Sequence, residues 1–224
     1  MQDKAVTVVC TSFNRPDLLA ATIRSFHRFN TYPIAAFIVQ EDSGVIGCND
    51  HLRDEFPSVQ FRYNAKRLGQ IKSIDAAYST VTTPYIFHME EDWEFYRGGF
   101  IEASMDVLTF RKFVICVWIR AENDTNGHPL ELAVLRAGES TDYRTPMKGH
   151  ARIWHGFTFN PSLRRLSDWE AHGGYSRLAT FVTSRPWISE ANIGAYYNRK
   201  GYSAAVLCGE GYVKHTGENR GIRA

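Results

Sequence analysis

The sequence contains no apolar run of about 18 residues, the length a membrane-spanning helix needs. It reaches Val6-Thr7-Val8-Val9 almost at once, without the charged segment and apolar core of a secretory leader, so none is expected. Cysteine is sparse: Cys10, Cys48, Cys116 and Cys208 lie far apart, without CxxC spacing. Cys10, Cys116 and Cys208 fall in apolar, strand-like runs and are expected as buried thiols in a reducing, cytoplasmic setting. An excess of charge of one sign is missing too. With 26 Lys and Arg against 24 Asp and Glu, the net charge is +2, and the scattered basic residues give no electrostatic case for nucleic acid. No GxGxxG follows the first strand and no GxxxxGK[ST] occurs, which removes the main support for dinucleotide-dehydrogenase and P-loop readings. The eight histidines form no HExxH or similar zinc set, and no cysteine sits in the polar, electropositive surroundings of a nucleophile.

What remains is a globular chain of 224 residues, 44% hydrophobic and 13% aromatic, enough to fill the core of one large domain. Ala5–Cys10 reads as a strand buried on both faces, and Thr11–Asp17 as the loop after it. Pro16 suits a first helical position, and Leu19, Ile23, Phe26 and Phe29 recur at helical spacing behind it. A strand at Ala36–Gln40, a helix through about Asn49–Glu55 and a strand at Val59–Tyr63 follow. The polar loop Asn64–Gln70 then leads into a helix carrying Ile71, Ile74 and Tyr78 on one face, broken at Thr83-Pro84. With the strand from Tyr85, the first 92 residues read β-α-β-α-β-α-β, which predicts an α/β fold with a mostly parallel sheet between helices.

Beyond residue 92 the pattern is less regular. A helix is expected at about Phe100–Phe110 and a strand at Phe113–Ile119. Residues 120–150 read as a loop-rich insertion with a strand at Leu130–Leu135. A strand at Ile153–Asn160, a helix at Pro161–His172 ending at Gly173-Gly174, and a loop through Arg185-Pro186 come next. A helix at about Glu190–Lys200 stops at Gly201, and short strands at Val206-Leu207 and Gly211–Lys214 precede a polar tail. No internal repeat appears, and a single domain, residues 1–224, is expected.

The stretch Tyr85-Ile86-Phe87-His88-Met89-Glu90-Glu91-Asp92-Trp93 ends an apolar strand in three carboxylates. Strand alternation would point Glu90 and Asp92 one way and Glu91 the other. Ligands gather at the carboxyl ends of strands in open α/β sheets, and two carboxylates there suit a hard cation that also holds phosphate oxygens. The plain alternative is a solvated acidic turn. Thr11–Arg15, Glu41–Ser43, Asn64–Gln70 and Glu90–Asp92 all follow strands and would share one sheet edge, which fits a nucleotide with its diphosphate at the cation.

These segments, in this order, resemble the family 2 inverting glycosyltransferases of the GT-A fold. VTVVCTSFNRPDLLAATIRSF resembles the family's first strand, loop and helix, and FIVQEDSG its second strand with an acidic end. NAKRLGQIKSIDAAYSTVTTPYIFHMEED resembles the run into the DxD motif. HGFTFNPSL, followed by HGGY, resembles the acceptor-side strand and paired glycines, and SEANIGAYYNRKGY the helix that carries the catalytic acid. The resemblance covers most of the chain and is weakest across residues 110–150. It implies a nucleotide-sugar-binding half at residues 1–92 and an acceptor-side half at residues 93–224.

The resemblance implies that Thr11, Asn14 and Arg15 line the nucleotide pocket, that Glu41 or Asp42 contacts base or ribose, and that Arg67 lies near base or diphosphate. Glu90, Glu91 and Asp92 fall at the DxD position, with Asp92 the principal ligand of Mn2+ or Mg2+ and Glu90 and His215 as further metal candidates. Glu190, eleven residues before Gly201, stands where the family has its catalytic aspartate, and Asp168 and Trp169 are acceptor-site candidates. The chain departs from the family pattern in reading Glu-x-Asp for DxD, Ser189 for the acid before the base, and Tyr196 for a later arginine. Plain alternatives stand beside each role: Glu190 as a first-turn acid favoured by the helix dipole, His215 and Arg67 as surface residues, Trp169 as core. The implied partners are a nucleotide-diphosphate sugar, most naturally a UDP-sugar, and a saccharide or lipid-linked acceptor met at a membrane surface. Two other classes stay open: a nucleotide-sugar-binding protein without turnover, marked by donor binding with no transfer, and a sugar nucleotidyltransferase, marked by pyrophosphate release.

Overall fold

Val6–Ser12 (β1) is buried along its whole length, as an uninterrupted run of apolar and β-branched residues requires, and it is flanked on both sides by parallel partners. The computed structural model describes residues 2–150, 154–179 and 186–217. Around β1 the chain places β2 (Ala36–Glu41), β3 (Val59–Tyr63), β4 (Tyr85–Glu90), β5 (Trp93–Phe95), β6 (Val114–Trp118), β7 (Leu135–Ala137) and β8 (Thr141–Arg144). The remaining strands are β9 (Ser162–Arg165), β10 (Ser203–Leu207) and β11 (Val213–His215). The helices are α1 (Pro16–Phe29), α2 (Gln70–Tyr78), α3 (Phe100–Phe110), α4 (Leu166–Glu170), α5 (Tyr175–Leu178) and α6 (Pro186–Arg199).

Nine strands form one sheet in the order β3-β2-β1-β4-β9-β6-β10-β8-β7, and β5 and β11 make a separate ribbon. β1, β2, β3 and β4 are parallel. β9 runs antiparallel to both β4 and β6, so β6, and β10 parallel to it, point the same way as β1. The expected mostly parallel α/β architecture is therefore present. One face of the sheet carries Leu19, Ile23 and Phe26 of α1 with Phe87, Phe95 and Phe100, and the other carries Ile74 and Tyr78 of α2 with Ile86, Phe157 and Tyr175.

Four expected elements differ. The helix at Asn49–Glu55 is only a single 3-10 turn at Asp50–Leu52, because Asn49 is fully buried and spends its side chain on Glu41. No strand covers residues 154–160. Phe157 and Phe159 are buried, but Gly156 at φ 86° turns the chain into an irregular bend. The strand lies one segment later, at β9, and the helix expected at Pro161–His172 shrinks to α4. The strand expected at Leu130–Leu135 is replaced by the β7–β8 hairpin, which extends the sheet by pairing β8 with β10. Ile153, Arg185 and the polar tail from residue 218 lie outside the described residues. All four cysteines are free thiols. Cys10 and Cys116 are buried as expected, while Cys208, just past the end of β10, is half-buried. Among the described residues no helix is long and apolar enough to cross a membrane.

Candidate active site

The chain runs from β1 through β2 to β3 on one side of the sheet, then returns to place β4 on the other side of β1. A crevice opens beyond the carboxyl ends of two strands at such a reversal. Phe13–Arg15 enter it after β1, and Glu90–Asp92 after β4. The register pairs Thr11 with Glu90 at its floor, so Thr11, 7% exposed, contributes wall and not a free side chain.

The acidic triplet does not alternate as a strand would. Pairing stops at Glu90, and Glu91 and Asp92 lie in a turn, where one arginine reaches both. Arg15 stands 2.7 Å from Glu91 through Nη2 and 2.9 Å from Asp92 through Nη1. Glu91 also accepts the Phe13 N–H at 3.0 Å, and its carbonyl accepts the Thr22 hydroxyl of α1. Glu91, expected at the sugar nucleotide, is thus a brace between the two loops. Burial pushes its carboxyl up, against the pull of Arg15.

Asp92 is shared between Arg15 and His215, whose Nε2 lies 3.3 Å from Oδ2. The β5–β11 ribbon sets this pair by registering His215 against Trp93, and the two rings lie 4.9 Å apart. Burial alone would raise the Asp92 carboxyl, but His215 and Arg15 outweigh it and hold it below the usual range. Gly217 closes over the same carboxylate: a β-carbon there would stand 2.3 Å from Oδ2, so no larger residue fits without displacing Asp92.

Glu90 faces α2, where it accepts the side-chain N–H of Gln70 at 2.6 Å. Burial, then the charges of Asp92, Glu91 and Glu190, push its carboxyl up to about 8. Glu190, near the start of α6, therefore lies within electrostatic reach of Glu90. Its Oε1 accepts the Thr158 hydroxyl at 3.1 Å and the backbone N–H of Phe159, and Oε2 carries neither bond. Burial raises the Glu190 carboxyl, opposed by those two donors and by Arg164.

The second strand ends in two carboxylates with different surroundings. Glu41, 1% exposed, accepts Ser12 and Asn49 side chains on Oε2 and the Asn14 and Ser43 N–H groups on Oε1. Burial would raise it, but these bonds hold it below the usual range. It is a loop brace, and it fixes Asn14 at φ 49°, a left-handed conformation that asparagine tolerates. Asp42 accepts Asn64 and the Leu68 N–H on Oδ1 and the Gly69 N–H on Oδ2. Gly69, at φ 86° and ψ 152°, adopts a backbone open essentially to glycine alone, which delivers its N–H to Asp42 and starts α2. Arg67 is exposed, its guanidinium 4.7 Å above the Phe13 ring at the crevice mouth.

Asp168 and Trp169 are not at this edge. β9 pairs Arg165 with Tyr85 at the start of β4, and the Leu166 N–H donates to the Pro84 carbonyl. Asp168 bonds Arg165 and Tyr202 there, roughly 16 Å of strand from Glu90. Trp169, half-buried, donates to Asp75 and packs on Tyr78 at the margin of the core. Both, expected at the acceptor, stand on α4, which follows β9 at the amino ends of the parallel strands. Sequence reasoning gave no role to Gln70, Thr158, Gly217 or the wholly buried Arg164. An arginine between Leu163 and Leu166 was the one visible signal for the last.

Comparison with known proteins follows the same lines. No curated protein matches the sequence significantly. Among solved structures, the chain resembles a mannosyltransferase from Pyrobaculum calidifontis in complex with GDP-Man and Mn2+, at 14% identity and a TM-score of 0.63, covering 92% of this chain and 56% of that one. It also resembles residues 1–349 of S. aureus TarS, at 11% identity and a TM-score of 0.60, covering 95% of this chain and 60% of that one. A complex of that TarS fragment with UDP gives 0.58. The chain thus spans less than two thirds of these structures, and the likeness is one of fold, that of the GT-A glycosyltransferases. The glycosyl transferase family 2 profile matches residues 7–168, most of the chain, and the protein belongs to that family.

Proposed function

We propose that the protein transfers a sugar from a nucleoside diphosphate sugar to an acceptor hydroxyl with inversion, using Glu190 as general base. The observation that carries this reading is that the bend leading into β9, which pairs Ser162 with His88 near the carboxyl end of β4, holds Glu190 through Thr158 and Phe159 and brings it within electrostatic reach of Glu90, a hundred residues away in sequence. An inverting transfer is one in-line displacement. It needs a base on the acceptor side and charge neutralisation on the diphosphate side. Glu190 supplies the first: two donors fix Oε1, and Oε2 takes the acceptor proton. Its raised carboxyl affinity for protons suits that task.

On the other side, the donor set fits a divalent cation. Ligands in adjacent positions of an octahedral ion at about 2.1 Å stand about 3 Å apart, close to the 3.3 Å between Asp92 and His215. Asp92 and His215 would hold Mn2+ or Mg2+, with phosphate oxygens and water completing the shell. Among the described residues no group of three acidic, histidine or cysteine side chains is arranged as a complete cation site. When bound, the ion would neutralise the leaving diphosphate. Glu90, protonated at neutral pH, can donate to a sugar hydroxyl, and Arg15 keeps the acidic turn in place.

Asn14 and the Phe13–Arg67 pair border the nucleoside side. Of Glu41 and Asp42, Asp42 has the less occupied carboxylate and is the one available to base or ribose. The donor is a UDP- or GDP-hexose, and the acceptor a saccharide or lipid-linked hydroxyl. The free thiols favour a reducing, cytoplasmic location.

The test is incubation with a panel of UDP- and GDP-hexoses and Mn2+, with the anomer of the product read by NMR. Transfer with the opposite anomer to the donor is expected. A retained anomer, pyrophosphate release, or donor binding without any turnover would overturn the proposal.

A further inference from the structure

Arg164 is 1% exposed and forms no salt bridge among the described residues. An arginine stays protonated in proteins, so a buried one without a carboxylate partner is costly unless its surroundings satisfy it. Its guanidinium lies 5.1 Å from the Phe157 ring centre and 5.3 Å from that of Phe159. Nε and Nη2 donate to the Ser162 hydroxyl at 3.1 and 2.9 Å, and Nη2 also donates to the Thr158 carbonyl. The Ser162 hydroxyl in turn donates to the Asn160 carbonyl, and the Asn160 N–H donates to the Thr158 hydroxyl. The irregular bend from 157 to 162 is thus tied to Arg164 at both ends and gripped between its two phenylalanines.

The same bend carries both donors to Glu190, the Thr158 hydroxyl and the Phe159 N–H. Other groups around the guanidinium are neutral in character: Tyr78 from α2, His88 from β4, Cys116 from β6 and Tyr175 from α5. His88, fully buried, has no hydrogen-bond partner among the described residues for either ring nitrogen, and burial followed by the charge of Arg164 keeps it unprotonated. So Arg164, a buried cation, spends Nε and Nη2 on the bend that holds Glu190.

We infer that Arg164 is a positioning residue for Glu190, acting through the Thr158–Phe159 bend and touching neither donor nor acceptor. The inference rests on Glu190 being the base.

Arg164→Lys keeps the charge but loses the planar fork, so the bend should loosen. Amide hydrogen exchange should quicken about tenfold or more at Phe159 and Asn160, while Val9 and Val39 in the β1–β2 core keep their protection. In turnover of the UDP- or GDP-hexose that the protein hydrolyses or transfers, kcat should fall about tenfold or more with donor KM within about twofold. Adding Arg164→Lys to Glu190→Gln should cost nothing further, since residues in one network are not additive. Unchanged exchange at Phe159, or uniform acceleration at every core amide, would overturn the inference. Where the lysine variant does not fold, Ser162→Ala removes the hydroxyl that accepts from Arg164 and donates to the Asn160 carbonyl, keeps Arg164 itself, and should loosen the same two amides. If Glu190→Gln keeps wild-type turnover, the base assignment fails, whereas unchanged exchange in the Arg164 variant sinks only the positioning role.

Discussion

Arg15 spans Glu91 and Asp92, one nitrogen 2.7 Å from the first carboxylate and another 2.9 Å from the second, with all three side chains at least four-fifths buried. Removing one member of a buried ion pair leaves an uncompensated charge, which costs about 3–5 kcal/mol. Arg15→Met should therefore lower the unfolding free energy by about 3 kcal/mol in urea titrations. Mn2+ should restore part of the loss by taking over Asp92. A loss below about 0.5 kcal/mol would show that the two carboxylates relax into solvent instead.

Glu190→Gln preserves size and hydrogen bonding but cannot take a proton. Turnover should fall roughly 10²–10⁴-fold, while the thermal shift produced by UDP or GDP with Mn2+ stays as in wild type. Asp92→Asn should weaken that metal-dependent shift as well as turnover. Wild-type turnover in the glutamine variant would leave Glu190 a buried acid in the second turn of α6, bonded to Thr158 and Phe159.

Glu90 offers a pH test. The folded protein holds its proton up to about 8, whereas an ordinary glutamate loses it near 4.5. Between those values the folded state binds more protons than the unfolded chain, so this contribution to stability is lost as pH rises. Glu90→Gln has nothing to ionise. Relative to wild type it should gain at most about 1.4 kcal/mol for each pH unit across that window, read by denaturation in EDTA. A difference that does not change with pH would place Glu90 in an ordinary environment.

Gly217→Ala should act on the site more than on the fold, because its new methyl group would meet Asp92 Oδ2 at 2.3 Å. The expected outcome is a metal-dependent nucleotide shift reduced at least about tenfold in apparent affinity, with a stability change near 1 kcal/mol. Unaltered nucleotide binding would mean that Asp92 can move aside without consequence.

The first half, residues 1–92, was legible because its signals are local. Apolar runs, polar loops and helical spacing alternate from Val6 to Glu90, and the strands stand where those signals put them. The second half depends on partners far away in sequence. The run from Trp154 to Phe159 looks like a strand, yet Gly156 bends it, and the polar-looking Ser162–Arg165 takes the central place because β4 and β6 both lack a neighbour there. At the site, residue type alone could not separate a ligand from a brace. Glu41, Glu91 and Asp92 are equally acidic in sequence, and only the count of donors around each distinguishes them.

The antiparallel strand β9 also dictates an order of events during synthesis. β1 to β4 can pair as they emerge, but β6 has β9 and β10 as its neighbours in the sheet, and these end only at residues 165 and 207. Until then β4 presents an open edge beside a growing chain, the arrangement that invites mispairing. A polypeptide halted before Ser162 would own the complete acidic turn and Arg15, yet lack the strand that closes the sheet and the helix that carries Glu190. On the proposed reading, the base Glu190 and the cation partner His215 are therefore among the last pieces to arrive, and a nascent chain should neither hold the ion nor turn anything over until β11 has emerged.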